Sequence, residues 1–185
     1  MRDGAPIIRD RHRLGAVRRL VVLDTPPTEA FDRLTRMAAS LLGCPVSLLT
    51  IIDAERQWFK STWGLPEPFA DVRETALSHS LCQYVVAAGE RVVITDASQD
   101  ADVCDHPAVQ ELGMRSYAGA PIWSPDGHPV GALCVADFAP HRWPDRELDL
   151  LEDLAQITTR ELALNVHERM DARRRVFGGA TGSWS

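Results

Sequence analysis

Thiols, imidazoles, an arginine and a tyrosine gather between residues 79 and 134 of this chain. Their spacing sets out which chemistries are open. Cys82 and Cys104 are open to either a buried or a reactive reading, since thiolate redox chemistry would need a lowered pKa and access. His79-x-x-Cys82 puts a nitrogen and a sulfur on one helix face, and Cys104-x-His106 offers a second such pair. Together they resemble a soft-metal donor set. Cys-x-His is too tight for a usual structural zinc pair, however, so no metal is assigned and the histidines are read as exposed, with Ser78 or Ser80 capping the helix. Cys44 and Cys134 read as small buried hydrophobes. The four cysteines form no C-x-x-C pair, which excludes a zinc knuckle and a thioredoxin-type motif. His12, His128, His141 and His167 read as surface residues.

These groups need a scaffold, and the clearest part of it is a hairpin. Arg115–Ile122 and Gly131–Asp137 are apolar runs separated by Ser124-Pro125-Asp126-Gly127, and an Asp-Gly step between such runs signals a hairpin turn. On the second strand Ala132, Cys134 and Ala136 alternate with Leu133 and Val135. One face is therefore small and the other bulky, as expected for a sheet packed on one side and hollow on the other. A small ligand can occupy such a hollow. The expected pocket residues are Trp58 or Phe59 (alternation turns one of them inward), Cys82, Asp96, Asp102, Arg115, Tyr117 and Cys134. Tyr117 would donate a hydrogen bond from an apolar wall. Arg115 would meet an anionic group or pair with a loop aspartate such as Asp102.

The remaining elements follow from periodicity. A helix over 9–23 is broken by Asp24-Thr25-Pro26-Pro27. A second, over 28–42, has Thr28 as N-cap and an apolar stripe of Phe31, Leu34, Met37, Ala38, Leu41 and Leu42, and stops at Gly43. Val46–Ile52 is apolar on both alternation sets, so it is a central strand covered on both faces, with Arg56–Trp63 returning beside it. Residues 64–78 read as loop. A short helix over 79–88, a strand over 91–95, an acidic loop over 96–107 and a brief helix over 108–112 lead into the hairpin. A final helix over 145–175 spreads its apolar residues over more than one face. It can therefore pack on the sheet and still offer a stripe to a partner. Residues from Gly178 onward read as a flexible tail. The order predicts an α+β fold with one antiparallel sheet. Residues 1–22 form an N-terminal helix, 23–165 the domain, and 166–185 the end of the last helix and the tail.

Composition narrows the function. The chain has 185 residues, a net charge of −6 and 45% hydrophobic residues, an ordinary globular make-up. The acidic balance argues against nucleic acid as partner, although Arg9, Arg11, Arg13, Arg18 and Arg19, and Arg169 and Arg173–Arg175, make both ends basic. These are read as solvated helix faces. No apolar run reaches bilayer length and no secretory signal opens the chain, so a cytoplasmic protein without membrane contact is expected.

The order of short motifs resembles a large bacterial group of GAF domains. Leu23-Asp24-Thr25-Pro26-Pro27, Asp53–Ser61 with Gly64-Leu65-Pro66, Ser80-Leu81-Cys82, Val93–Ala97, Tyr117–Pro121 and Gly131–Val135 carry the likeness across about residues 20–165. The resemblance implies a six-stranded antiparallel sheet. Terminal helices would lie on one face, and a pocket under loops and short helices on the other. It also implies a non-enzymatic sensory module that binds a small molecule. Such a module would signal through its terminal helices, to a partner protein or across a homodimer. No output domain fits within this length. The Asn-Lys…Phe…Asp-Glu signature of cyclic-nucleotide-binding members is absent apart from the fragment Phe69-Ala70-Asp71. The Cys-His step of bilin-binding members is absent too, since Gln83 follows Cys82. Free methionine sulfoxide reductases of this fold offer a redox alternative through Cys82 and Cys104. Tyr117, Cys134 and Ala136, however, stand where those enzymes present carboxylates. A ligand-free interaction scaffold is the third reading, and no cofactor is assigned.

Overall fold

The computed structural model describes residues 5–178. Six strands, β1 (Val46–Ile52), β2 (Arg56–Trp63), β3 (Glu74–Ala76), β4 (Val92–Ile94), β5 (Ser116–Trp123) and β6 (Pro129–Asp137), form one sheet in the order β3-β2-β1-β6-β5-β4. Every pairing is antiparallel. The expected α+β architecture is present. Three helices, α2 (Arg11–Leu20), α3 (Glu29–Leu42) and α7 (Asp145–Gly178), pack on one face of the sheet. Short elements cover the other: α4 (Phe69–Val72), α5 (Cys82–Ala88), which follows a 3-10 turn at Leu77–His79, and α6 (Pro107–Gln110).

Alternation builds two cores from one sheet. Leu49, Ile51, Leu133 and Val135 point into the helical layer, where they meet Phe31, Leu34, Leu151 and Leu154. Ile52, Ala132 and Cys134 point the other way, toward Leu81, Cys82, Val85 and Tyr117. Each central strand thus buries both its faces, as a continuous apolar run requires.

Several expectations are corrected. The N-terminal helix is two pieces, α1 (Ala5–Ile8) and α2, because the Asp10 carboxylate accepts from the amides of His12 and Arg13 and starts a new helix. Thr28 holds the N-cap position of α3, but its side chain makes no capping bond. Gly43 does close that helix in a left-handed conformation, φ 65°. Met37 and Leu41, expected on the apolar stripe of α3, are 40% and 55% exposed. The sheet reaches only the arc through Phe31, Leu34, Ala38 and Leu42. The stretch 64–78, expected as loop, contains α4 and the edge strand β3. The tail over 179–185 lies outside the described residues. On α7, Ile157 and Leu164 are 49% and 60% exposed while Leu154, Ala155, Thr158 and Leu162 are buried, so this helix does carry a second apolar stripe.

Arg13 ties the layers together. Its side chain is buried, and it donates to the carbonyls of Ile7 at 3.2 Å, Ile8 at 3.1 Å and, at the end of β1, Ile52 at 2.8 Å. Five fixed donors let one guanidinium hold several carbonyls at once. Ile8 packs into the core that contains α5, while Val17 and Leu20 pack into the helical core.

Candidate functional site

A cavity of about 70 Å³ lies between the sheet and the short elements that cover it. That is ample for more than one water, and enough for a small molecule or one substituent of a larger one. The sheet supplies its floor through Leu48, Gln57, Phe59, Tyr117, Cys134 and Ala136. The cover supplies Leu65, Pro66 and Phe69 from the segment before β3, His79, Leu81 and Cys82 around the start of α5, and Leu112 and Met114 after α6. No Asp or Glu lines it among the described residues.

Three of the cavity's polar groups cluster at one end. Cys82 Sγ lies 3.5 Å from Cys134 Sγ, and the Tyr117 hydroxyl donates to Cys82 Sγ at 3.3 Å. The strand pattern explains this meeting. Cys134 sits opposite Leu48 on one side and Gly119 on the other. A Cβ at 119 would overlap the Tyr117 hydroxyl. Glycine there lets the ring lie along β5 and carry its hydroxyl to the two sulfurs. The bond with Cys134, and then those with Thr50 and Tyr117, hold the Cys82 thiol below its ordinary range against the opposing effect of burial. The interaction with Cys82, and then burial, push the Cys134 thiol well above it. Burial, and then the neighbouring thiols, push the Tyr117 phenol up.

Gln57 provides a second polar point on the wall. Its amide donates to Thr75 Oγ1 at 2.9 Å, and its carbonyl accepts from the Ser80 hydroxyl at 2.7 Å. This pins the edge strand β3 and the entry to α5 to the sheet.

Phe59, Cys82, Tyr117 and Cys134 are therefore brought together at the cavity, and four other expected residues are not. Trp58 pairs across β1 with Ile51, whose side chain faces the helices, and its ring lies beneath the guanidinium groups of Arg56 at 5.6 Å and Arg73 at 5.2 Å. Asp96 and Arg115 form a two-point ion pair at 3.1 and 3.2 Å at the outer end of β5. The Ser98 hydroxyl, and then Arg115, hold the Asp96 carboxyl below its usual range. Asp102 is exposed on the turn beyond it, its amide bonded to Asp100. The arginine thus closes on an aspartate rather than facing a ligand, and that aspartate is Asp96 rather than Asp102.

The two redox candidates, Cys82 and Cys104, are not brought together. Cys134, not Cys104, faces Cys82, and Cys104 is half-buried in the loop before α6 without lining the cavity. The metal-like quartet does not assemble. His79 bonds Ser78 and lies 3.3 Å from Glu111, while His106 caps α6 by accepting from the Ala108 amide. Sequence reasoning missed Leu48, Gln57, Phe69 and Met114. For Gln57 a signal existed, since it shares the alternation set of Phe59.

Residues 26–162 match the family described as GAF domain. The chain belongs to the GAF domain family. A cyclic di-GMP phosphodiesterase of Pseudomonas aeruginosa is 35% identical over 156 residues, covering 82% of this GAF chain and 26% of the relative. The chain therefore spans about a quarter of that protein's length. Among solved structures, this GAF domain is similar to the free methionine-R-sulfoxide reductase of Neisseria meningitidis in complex with its substrate. The TM-score is 0.61 at 19% identity, over 91% of this chain and 95% of that one. The GAF domain of a phosphoenolpyruvate-protein phosphotransferase from Coxiella burnetii gives 0.59 at 20% identity, over 90% and 96%. A domain of a putative two-component sensor histidine kinase from Sinorhizobium meliloti gives 0.60 at 16%, over 80% and 96%. At these identities the solved structures establish the GAF fold alone. Among the described residues no helix is long and apolar enough to cross a membrane.

Proposed function

We propose that the chain is a non-enzymatic sensory module whose cavity binds a small, mainly apolar molecule carrying one hydrogen-bonding group. The observation that carries this reading is the lining itself. Leu48, Phe59, Leu65, Leu81 and Met114 surround a space whose few polar groups are the Cys82–Tyr117–Cys134 end, Gln57 with Thr75, and His79. That pairing of apolar walls with a few placed polar groups is the general form of a small-molecule site. A sulfoxide reductase reading is weaker, because no carboxylate lines the cavity to hold an amino-acid ammonium group or to assist protonation. Among the described residues the lining holds no Arg or Lys to meet the phosphates of a cyclic dinucleotide. The phosphodiesterase likeness therefore supports cyclic di-GMP turnover as the output this module governs, rather than as its ligand.

The signal leaves through the sheet. On β6, Cys134 borders the cavity while its neighbours Leu133 and Val135 pack under the helices. A shift in one is a shift in the others. The exposed Ile157 and Leu164 on α7, seven residues apart and so on one face, are proposed as the seam of a homodimer in the cytoplasm, or of contact with a signalling partner.

Native mass spectrometry of the protein purified from its own cells tests the ligand. A retained mass that is lost in Phe59→Trp, which fills the cavity, supports the proposal. If the native protein carries nothing and no small apolar compound raises its melting temperature, the binding reading is refuted. Light scattering tests the dimer, which Ile157→Glu with Leu164→Glu should dissociate.

A further inference from the structure

We propose that Cys82 and Cys134 form a peroxide-responsive dithiol that closes to a disulfide in the cavity floor, so that this GAF domain carries a redox-modifiable site at the polar end of the same cavity. The two sulfurs already face each other at 3.5 Å. A disulfide needs them about 1.5 Å closer, a distance within reach of side-chain rotation at the open first turn of α5. The residues are 52 apart in sequence, one on a helix and one on a central strand, so their approach is a product of the fold. Buried thiols are ordinarily inert. Both of these, although only 2% and 1% exposed, border the cavity, which has room for hydrogen peroxide. Cys44 is buried in the helical core.

Cys82 is the attacking sulfur, because the Tyr117 hydroxyl donates to it at 3.3 Å and stabilises its thiolate. It attacks one peroxide oxygen, the O–O bond breaks, water leaves, and Cys82 becomes a sulfenic acid. Cys134 sulfur then attacks Cys82 sulfur. The S–S bond forms, the S–O bond breaks, and the departing hydroxide takes the Cys134 proton as a second water. Two thiols give up two electrons in all, and one peroxide is reduced to two waters. The bond ties α5 to β6 and so links a cover element directly to the strand that contacts the helical layer.

The test uses the full chain, reduced and freed of reductant, then titrated with hydrogen peroxide, acid-quenched, alkylated and mapped by peptide mass spectrometry. Two of the four thiols should disappear per chain. A bridged peptide should join Cys82 to Cys134 and be lost on adding dithiothreitol, and Cys104→Ser should behave the same way. Cys134→Ala should stop at a sulfenic acid on Cys82 that dimedone traps. A bridge from Cys82 to Cys104, four thiols persisting through the titration, or oxidation past sulfenic acid without a bridge would each overturn the proposal. Bridge mapping on the unaltered chain decides the matter even if a cysteine variant fails to fold.

Discussion

Gly119→Ala is the sharpest perturbation of the site. Replacing a strand glycine normally helps, since the unfolded chain loses freedom, by about 0.4–1 kcal/mol. Here the new methyl group would overlap the Tyr117 hydroxyl and crowd its ring. That ring is 2% exposed and lies between β5 and Cys82. It escapes only by swinging into the cavity, which breaks the bond to Cys82 and fills the space a ligand would use. Overpacking of this kind costs about 1–3 kcal/mol. The steric effect wins, leaving a net loss of about 1–2 kcal/mol. For a chain of this size that lowers the melting temperature by about 2–8 °C. Differential scanning calorimetry of four proteins measures it: the original, Gly119→Ala, Tyr117→Leu and the double variant. In the Tyr117→Leu background the added methyl should cost under about 0.5 kcal/mol, exposing the coupling directly. If Gly119→Ala costs as much without the tyrosine as with it, or if it stabilises the original, the account of how the cavity end is built is wrong.

Arg13→Met keeps the stem of the side chain but strands the carbonyls of Ile8 and Ile52. It should lower stability by about 2–4 kcal/mol in urea denaturation, and Arg13→Lys, which cannot fork, should recover less than half of that. His106 is held below its ordinary pKa of 6.5, first by burial and then by His79. The unfolded chain therefore takes up the proton first, and stability should fall as pH drops from about 6.5 until the folded form is protonated as well. His106→Asn, which keeps the cap on α6, should flatten that part of the stability–pH curve. Burial first, and then Asp137 and Glu147, push the Cys44 thiol up to about 12. At pH 8 iodoacetamide should modify Cys104 in the native protein long before Cys44, as read by peptide mapping.

The frame of the molecule was legible because it rests on local pattern. The two alternation sets of β1 and the small-against-bulky faces of β6 located both cores, and Asp126-Gly127 marked the β5–β6 turn, where the Gly127 amide bonds the Ser124 carbonyl. The cover was not legible. Strand β3 is three residues long and exists only because β2 lies beside it, and α4 is a single turn. Neither is long enough to leave a periodic signature. The candidate site divided along the same line. Phe59, Tyr117 and Cys134 sit on strands, where alternation restricts direction. Asp96 and Asp102 sit on an irregular loop, where sequence gives no direction at all, and Arg115 followed Asp96 outward. Alternation also could not choose between Trp58 and Phe59. The register of β2 against β1, which shifts between Leu49 and Thr50, made that choice. Cys82 and Cys104 were paired as redox candidates by family likeness alone, and the thiol the fold sets against Cys82 is Cys134, 52 residues away.

The guanidinium clamp at the N-terminal end has a mechanical corollary. A twist applied to α2 is delivered through Arg13 to the last carbonyl of β1 and to Ile8, whose side chain shares a core with α5. Helical torque and cavity shape are thus geared together by one side chain. Input at either end should register at the other without the central strands having to separate.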